Sequence, residues 1–314
     1  TLYDLTLLGP RTDTELILGV ADIPEQQAQE TVTFKPDLDG NMGIFGTSGA
    51  GKSVLLRTLA AGAGITPRGG PVHVYALDFA AGGLRMIEGM PHVGAVVAGD
   101  DSERVVRLFR MLQDLTEERS RTFSAANAGD IVDYRINANR PDEPRILLLL
   151  DGFGAFRENW EVGAGRAVWY SAFQQLLKDG RGLGVHVVYT ADRPASVPGA
   201  VAAATPKRAV LRMADEGTYL TLGVAGDVLG PTSPPGRMIY DDLETQIAIV
   251  GRTGTVSDQA ASIEALSAQM RRFGVKNAPP VGALPTEIVL TDLPTRVDGL
   301  PLLGISDLDL QPMP

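Results

Sequence analysis

The chain has 314 residues, 44% of them hydrophobic and none of them cysteine, which is enough apolar material for a large core and excludes general disorder, disulfides and thiolate metal sites. A formal net charge of −10 with a pI near 4.9 repels phosphate backbones, and no basic stripe offsets it, so no nucleic-acid partner is expected. No apolar stretch approaches the roughly 20 residues that span a bilayer, so no membrane contact is expected either; the start at Thr1, without a basic and then apolar leader, suggests a piece excised from a longer protein.

In chain order, residues 1–40 read as a lead-in, an irregular or short-stranded collar in which Leu16-Ile17-Leu18 and similar short apolar runs are separated by Gly9-Pro10 and the polar stretch 25–30. β-rich runs follow at 42–45, 72–77, 94–97, 146–150, 185–190 and 209–213. Helical patterns lie between them at 52–61, 102–123 and 167–178, the second with Val105, Leu108, Phe109, Leu112 and Leu115 at helical spacing. Such alternation predicts an α/β fold with a mostly parallel central sheet flanked by helices on both faces. Residues 238–240 and 246–250 flank the acidic turn Asp241-Asp242 as a hairpin, and a last amphipathic helix spans 256–272. The domain proper is therefore expected over 41–275. From 276 to 314 the chain is Pro-rich and reads as an extended linker able to wrap a surface. Leu18–Ile23 recurs as Leu303–Leu308, and if the echo is real the second copy opens another module of the same kind.

The motif that carries chemistry is Gly46-Thr47-Ser48-Gly49-Ala50-Gly51-Lys52-Ser53, a full match to G-x-x-x-x-G-K-[ST], with a strand entering and a helix leaving. Glycines let the backbone curl so that successive N–H groups face a phosphate chain, and the helix start adds partial positive charge. Lys52 is placed to reach the terminal phosphates of ATP and Ser53 to ligate Mg²⁺, and Val54 completes the cofactor-binding run. The fold expected is thus a RecA-like P-loop NTPase. Gly180-x-Gly182-x-Gly184 precedes a strand rather than a helix and reads as a turn.

A second carboxylate-bearing strand is required, and Arg145 to Asp151 supplies it: four consecutive leucines end in Asp151, assigned to hold the metal. The next position is anomalous. Hydrolytic enzymes of this kind usually place an acid there to polarise water; here it is Gly152, and the loss of such a base costs about 10² to 10⁴ in rate. Glu158 or Asp192 could substitute if folded near the terminal phosphate. Thr190 ends another buried strand and is a candidate phosphate sensor and catalytic residue with Asp151. His73 and His186 fall inside strands as core residues, His92 in a loop, and the three assemble neither a zinc site nor a nucleophilic triad.

Taken together, Gly46–Ser53 with Val54–Leu59, Leu77-Asp78-Phe79, Gly89–Val93, the helix end 119–123, Leu149–Gly152, Gly182–His186, Thr190–Pro194, Thr205–Arg208 with Leu211-Arg212, and Pro234–Arg237 resemble the FtsK/SpoIIIE family, most closely the EccC ATPases of type VII secretion in actinobacteria. The resemblance covers about Leu18 to Gly251. It implies a membrane-anchored protein with three ATPase modules in tandem on the cytoplasmic side of the cell membrane, exporting small helical substrate pairs of the WXG100 type. Sister modules, such substrates and other secretion-complex subunits are the implied partners. Gly152 resembles the later, degenerate modules, and the trailing 303–312 then begins a further one, which makes this a middle module; without the anchor and sister modules the isolated piece is expected to be a monomer. Arg208 and Arg212 match the family's arginine pattern and are candidates to act in trans across an interface.

Three functions remain in view. The leading one is a weakly hydrolytic or regulatory ATP-binding module of a secretion motor. A DNA-translocating ATPase needs a basic channel that the charge does not provide. A peptide-binding platform is the third, with 277–302 as a candidate occupant of a neighbouring module's pocket.

Overall fold

In the computed structural model the description covers all residues except 1, 10, 231, 286, 290, 292, 298, 307–309 and 314. The run Ile146–Leu150 is too apolar for an edge strand, and the strand it forms, Arg145–Asp151, is buried along its whole length with strands on both sides. Numbering the ten strands of the main sheet's path in chain order gives β1 (Leu16–Ile23), β2 (Ala28–Phe34), β3 (Met42–Phe45), β4 (Val72–Asp78), β5 (Val93–Ala98), β6 (Arg145–Asp151), β7 (Val185–Ala191), β8 (Lys207–Leu211), β9 (Arg237–Tyr240) and β10 (Leu243–Ile249). Their spatial order is β2-β1-β10-β9-β8-β3-β7-β6-β4-β5, and Tyr3–Asp4 adds a short parallel strand beside β10.

The six strands from β8 to β5 are parallel, and the four from β2 to β9 join them antiparallel. Helices cover both faces. On one lies α1 (Lys52–Ala63), whose Leu55 and Leu59 share a core with Ile263 and Leu266 of the final helix, Val256–Arg272. On the other, Val105, Leu108, Phe109 and Leu112 of the helix Ser102–Ala125 pack with Phe173, Leu176 and Leu177 of the helix Ala167–Asp179. The α/β class, the mostly parallel sheet, the hairpin and the closing helix thus match the sequence reading. The turn at Asp241 and Asp242, both at positive φ (49° and 62°), closes the hairpin. Among the described residues no helix is long and apolar enough to cross a membrane.

The lead-in departs from expectation. Of the irregular or short-stranded collar expected, the strands are present, eight and seven residues long, but β1 pairs with β10, so this segment is part of the main sheet rather than a collar outside it. It is also locked at the other end of the parallel strands. Asp13 Oδ2 accepts from Arg135 Nη1 (2.6 Å) and Arg145 Nε (3.2 Å), and Arg145 also grips Asp37 through both Nη atoms (2.5 and 3.0 Å). Arg145 Nη1 lies 3.1 Å from His186 Nε2, and His186 Nδ1 lies 2.9 Å from the Gly40 carbonyl.

The Pro-rich segment begins by wrapping its own domain. Ala278 N donates to Pro91 O (2.8 Å), Tyr75 Oη to Pro279 O (2.9 Å), and Arg104 Nε to Val281 O (3.1 Å). Its occupancy of a neighbouring module's pocket therefore finds no support at 278–282, where Ala278 and Val281 are buried against their own domain. Of the long-range echo, Leu18–Ile23 lies in β1, while Asp307 and Leu308 of the second copy lie outside the described residues.

Candidate functional site

The registers align four strand ends in two pairs: Phe45 of β3 lies level with Ala191 of β7, and Asp151 of β6 level with Asp78 of β4. Side chains just beyond those ends converge at the carboxyl edge of the sheet, where open α/β folds place ligands. The turn 46–51 leaves β3 there and is fastened on both sides. Gly46 N donates to Ala191 O (3.2 Å), and Thr47 donates to Arg212 O through both N (2.9 Å) and Oγ1 (3.1 Å).

Gly51 has to be glycine. Its φ is +117°, and a Cβ would lie 2.9 Å from Gly236 N, which instead donates to Ala50 O (2.8 Å). The start of the hairpin thus braces the outside of the turn, a contact at the matching Pro234–Arg237 motif. The curled backbone, with the 12-residue helix α1 starting at Lys52, gives the anion cradle that the pattern requires.

Lys52 Nζ lies back over the turn, bonded to Gly46 O (2.7 Å) and Thr47 O (3.0 Å) and paired with Asp192 Oδ1 (2.8 Å). Ser53 Oγ donates to Asp151 Oδ2 (2.5 Å), and Thr190 Oγ1 donates to Asp151 Oδ1 (2.6 Å) while accepting from Gly152 N (2.9 Å). Ser53, Asp151 and Thr190 are therefore one cluster, with a hydroxyl and a 1%-exposed carboxylate of the kind that together hold a hard cation. Val54 packs half-buried against the core.

Gly152 is more than a missing acid. Its φ is +87°, and a Cβ there would lie 3.0 Å from both the carbonyl carbon and oxygen of Phe79, so the backbone is shaped for no side chain. Glu158 is exposed on the helix Phe153–Trp160, whereas Asp192 does reach the lysine. Arg212 sits beside the turn through its carbonyl, and its Nη1 donates to Ser233 O (3.4 Å). Arg208 stands level with Gly43, below the turn, and donates to Leu222 O (3.3 Å).

Two contributors stood in the sequence reading only inside family-like motifs, with no role of their own. Asp78 accepts from Ala80 N (3.1 Å), Gly82 N (3.3 Å) and Leu84 N (2.9 Å), folding a loop that carries Gly83 against Ser53. Arg57, buried on α1, donates to Gly83 O (2.9 Å) and Gln259 Oε1 (3.0 Å), tying that loop to the closing helix. Burial lowers its pKa and the charge of Asp151 opposes the shift, so the guanidinium lies within electrostatic reach of the aspartate. The available signal was a lone arginine inside the apolar run Val54–Ala61.

Comparison with known proteins gives the family and the fold. The sequence model of the FtsK/SpoIIIE family matches residues 9–255. The ESX-1 secretion system protein EccCb1 of Mycobacterium tuberculosis is 26% identical, aligned over 99% of this chain and 55% of its own length. Among solved structures, EssC (ATPases 2 and 3) from Geobacillus thermodenitrificans superposes with a TM-score of 0.84 at 21% identity, over 99% of this chain and 60% of that one. Thermomonospora curvata EccC (ATPases 2 and 3) in complex with a signal sequence peptide gives 0.77 at 23%, over 96% and 56%. These structures share the fold, and the chain spans about half the length of the first relative. With a family match over most of its length and the P-loop, Asp151 and Thr190 assembled at one sheet edge, the chain belongs to the FtsK/SpoIIIE family.

Proposed function

We propose that the chain is an ATP-binding module of a type VII secretion motor, built to hold Mg-ATP and to hydrolyse it slowly. One observation carries the reading: Lys52, Ser53, Asp151 and Thr190 converge on the curled turn while the position after Asp151 is a left-handed glycine. The turn's amides and Lys52 bind the phosphates, and Ser53 and Asp151 hold a magnesium ion, whose charge offsets that of the phosphates. Thr190 orients Asp151 by its 2.6 Å hydrogen bond. With no side chain at 152 to take a proton from water, the hydrolytic step lacks its usual base.

The secretion assignment is supported by the relatives' names and by a formal charge of −10, which disfavours a DNA track. On this reading the domain, its sheet including β1 and β2, works beside sister modules of a membrane-anchored chain at its cytoplasmic face, in the middle position, with the Pro-rich segment 276–314 leading on to the next module. Its partners are then those modules, other secretion-complex subunits and secreted substrates of the WXG100 type. Arg208 and Arg212 are the residues offered across a module interface.

Calorimetric titration of Mg-ATP, paired with a phosphate-release assay, tests the reading. Wild type binds and releases phosphate slowly, and Lys52→Ala weakens binding by about 10- to 100-fold, the loss of charge-assisted hydrogen bonds. Unchanged affinity in Lys52→Ala rejects the site; brisk release rejects the slow turnover; stimulation by DNA favours a translocase.

A further inference from the structure

An ammonium group has three protons to donate, and all three of Lys52's find acceptors. Two are backbone carbonyls of the turn itself, Gly46 O and Thr47 O, and the third is Asp192 Oδ1 at 2.8 Å. The lysine side chain is 11% exposed, whereas that of Asp192 is 74% exposed, so the carboxylate covers the ammonium from the solvent side. Asp192 follows β7 directly, and two residues earlier Thr190 is bonded to Asp151. One strand end therefore supplies both the group that orients the metal-side aspartate and the anion that occupies the lysine.

We propose that Asp192 is a resident competitor for the terminal phosphate of ATP, an affinity-setting residue that holds Lys52 until the nucleotide displaces it. This deepens the ATP-binding reading and rests on it. A phosphate oxygen reaching Lys52 has to take the place of the carboxylate, and two anions cannot share the one remaining proton without repulsion. The carboxylate has somewhere to go: it lines a recess of about 580 Å³ with Thr47, Ser48, Arg193, Met213 and Asp215. Because Asp192 is mostly solvated, the competition is weak enough to tune binding without abolishing it. Asp192 thus lowers the affinity of the resting site, and any group that captures its carboxylate raises it.

The test is calorimetric titration of Mg-ATP into the whole chain as wild type, Asp192→Asn and Asp192→Ala, at about 0.05 M and about 0.5 M salt. An exposed ion pair is worth up to about 1 kcal/mol, so both variants bind about fivefold more tightly at low salt. At high salt, screening brings the ratio to wild type below about twofold. A merely structural Asp192 gives no gain in affinity and no salt-dependent ratio. The proposal is overturned by variant affinities within about twofold of wild type at low salt, or by weaker binding with loss of phosphate release, which makes the carboxylate a water-polarising group. If neither wild type nor Asp192→Asn binds Mg-ATP, the nucleotide reading itself has failed; binding that ignores the substitution overturns the competitor alone.

Discussion

The two ends of the parallel strands both gather charge, and they do so in opposite ways. At the amino end, Arg145 and Asp13 are 1% and 2% exposed, and the partners around them are buried His186 with the partly buried Arg135 and Asp37, 10% and 27% exposed. At the carboxyl end, Lys52 is nearly buried but one of its three partners is a solvated aspartate. A charge whose partners are all fixed stabilises one conformation, whereas a charge with one replaceable partner can receive a ligand. The difference assigns the first end to stability and the second to binding.

The sharpest way to break that contrast is Arg145→Ala. It leaves Asp13 buried with a partner lost, and removal of one member of a buried ionic network costs about 3–5 kcal/mol. Urea unfolding should show that loss, while Mg-ATP affinity of the protein still folded stays unchanged. A loss below about 1 kcal/mol, or a parallel fall in affinity, would show that the two ends are not separate in their work.

Much of the carboxyl end was legible in sequence because its chemistry is local. Eight consecutive residues define the turn, an aliphatic run ending in Asp151 defines its opposite wall, and β3 falls at 42–45 as expected. The amino end was hidden because its contacts are not local. Asp13 meets Arg135 and Arg145 more than 120 residues away, and β1 meets β10 across more than 220. β2 was obscured for another reason: Gln29, Glu30 and Thr31 are exposed at the sheet edge, so the strand carries polar residues that resemble a loop. The Asp192–Lys52 pair was reachable only as a conditional, since it depends on how the segment after β7 turns back over the lysine.

Acid sharpens the same comparison with a smaller effect. Burial, reinforced by the charge of Arg145 and opposed by the Gly40 carbonyl, lowers the pKa of His186 to about 3. His92, just before β5, is lowered by burial to about 4, against the pull of the Ala60 carbonyl. The unfolded chain takes up protons near pH 6.5 that the native state refuses, so stability is complete above about 6.5 and falls as pH drops towards 4. At pH 5 each buried ring removes about 2 kcal/mol relative to pH 7.5. Unfolding at pH 5 should therefore bind about two protons, and a flat stability profile between these pH values would mean that neither ring is held neutral by burial, His186 of the fixed network included.

The smallest effect tests whether the carboxyl end lacks its acid by accident or by shape. If only a side chain were missing, Gly152→Glu would restore hydrolysis at little cost. The backbone argues otherwise, because φ is +87° and the new Cβ would press on the Phe79 carbonyl at 3.0 Å. A non-glycine residue held in that region costs about 1–2 kcal/mol. Relief of the strain would also pull Gly152 N away from Thr190 Oγ1 and so disturb the hydroxyl that orients Asp151. The variant should thus lose about 1–2 kcal/mol in urea unfolding and release phosphate no faster than wild type. A rise of about tenfold in release with stability intact would mean that this end is an ordinary hydrolytic site missing one carboxylate; the expected outcome instead makes the left-handed glycine part of how Asp151 and Thr190 are held.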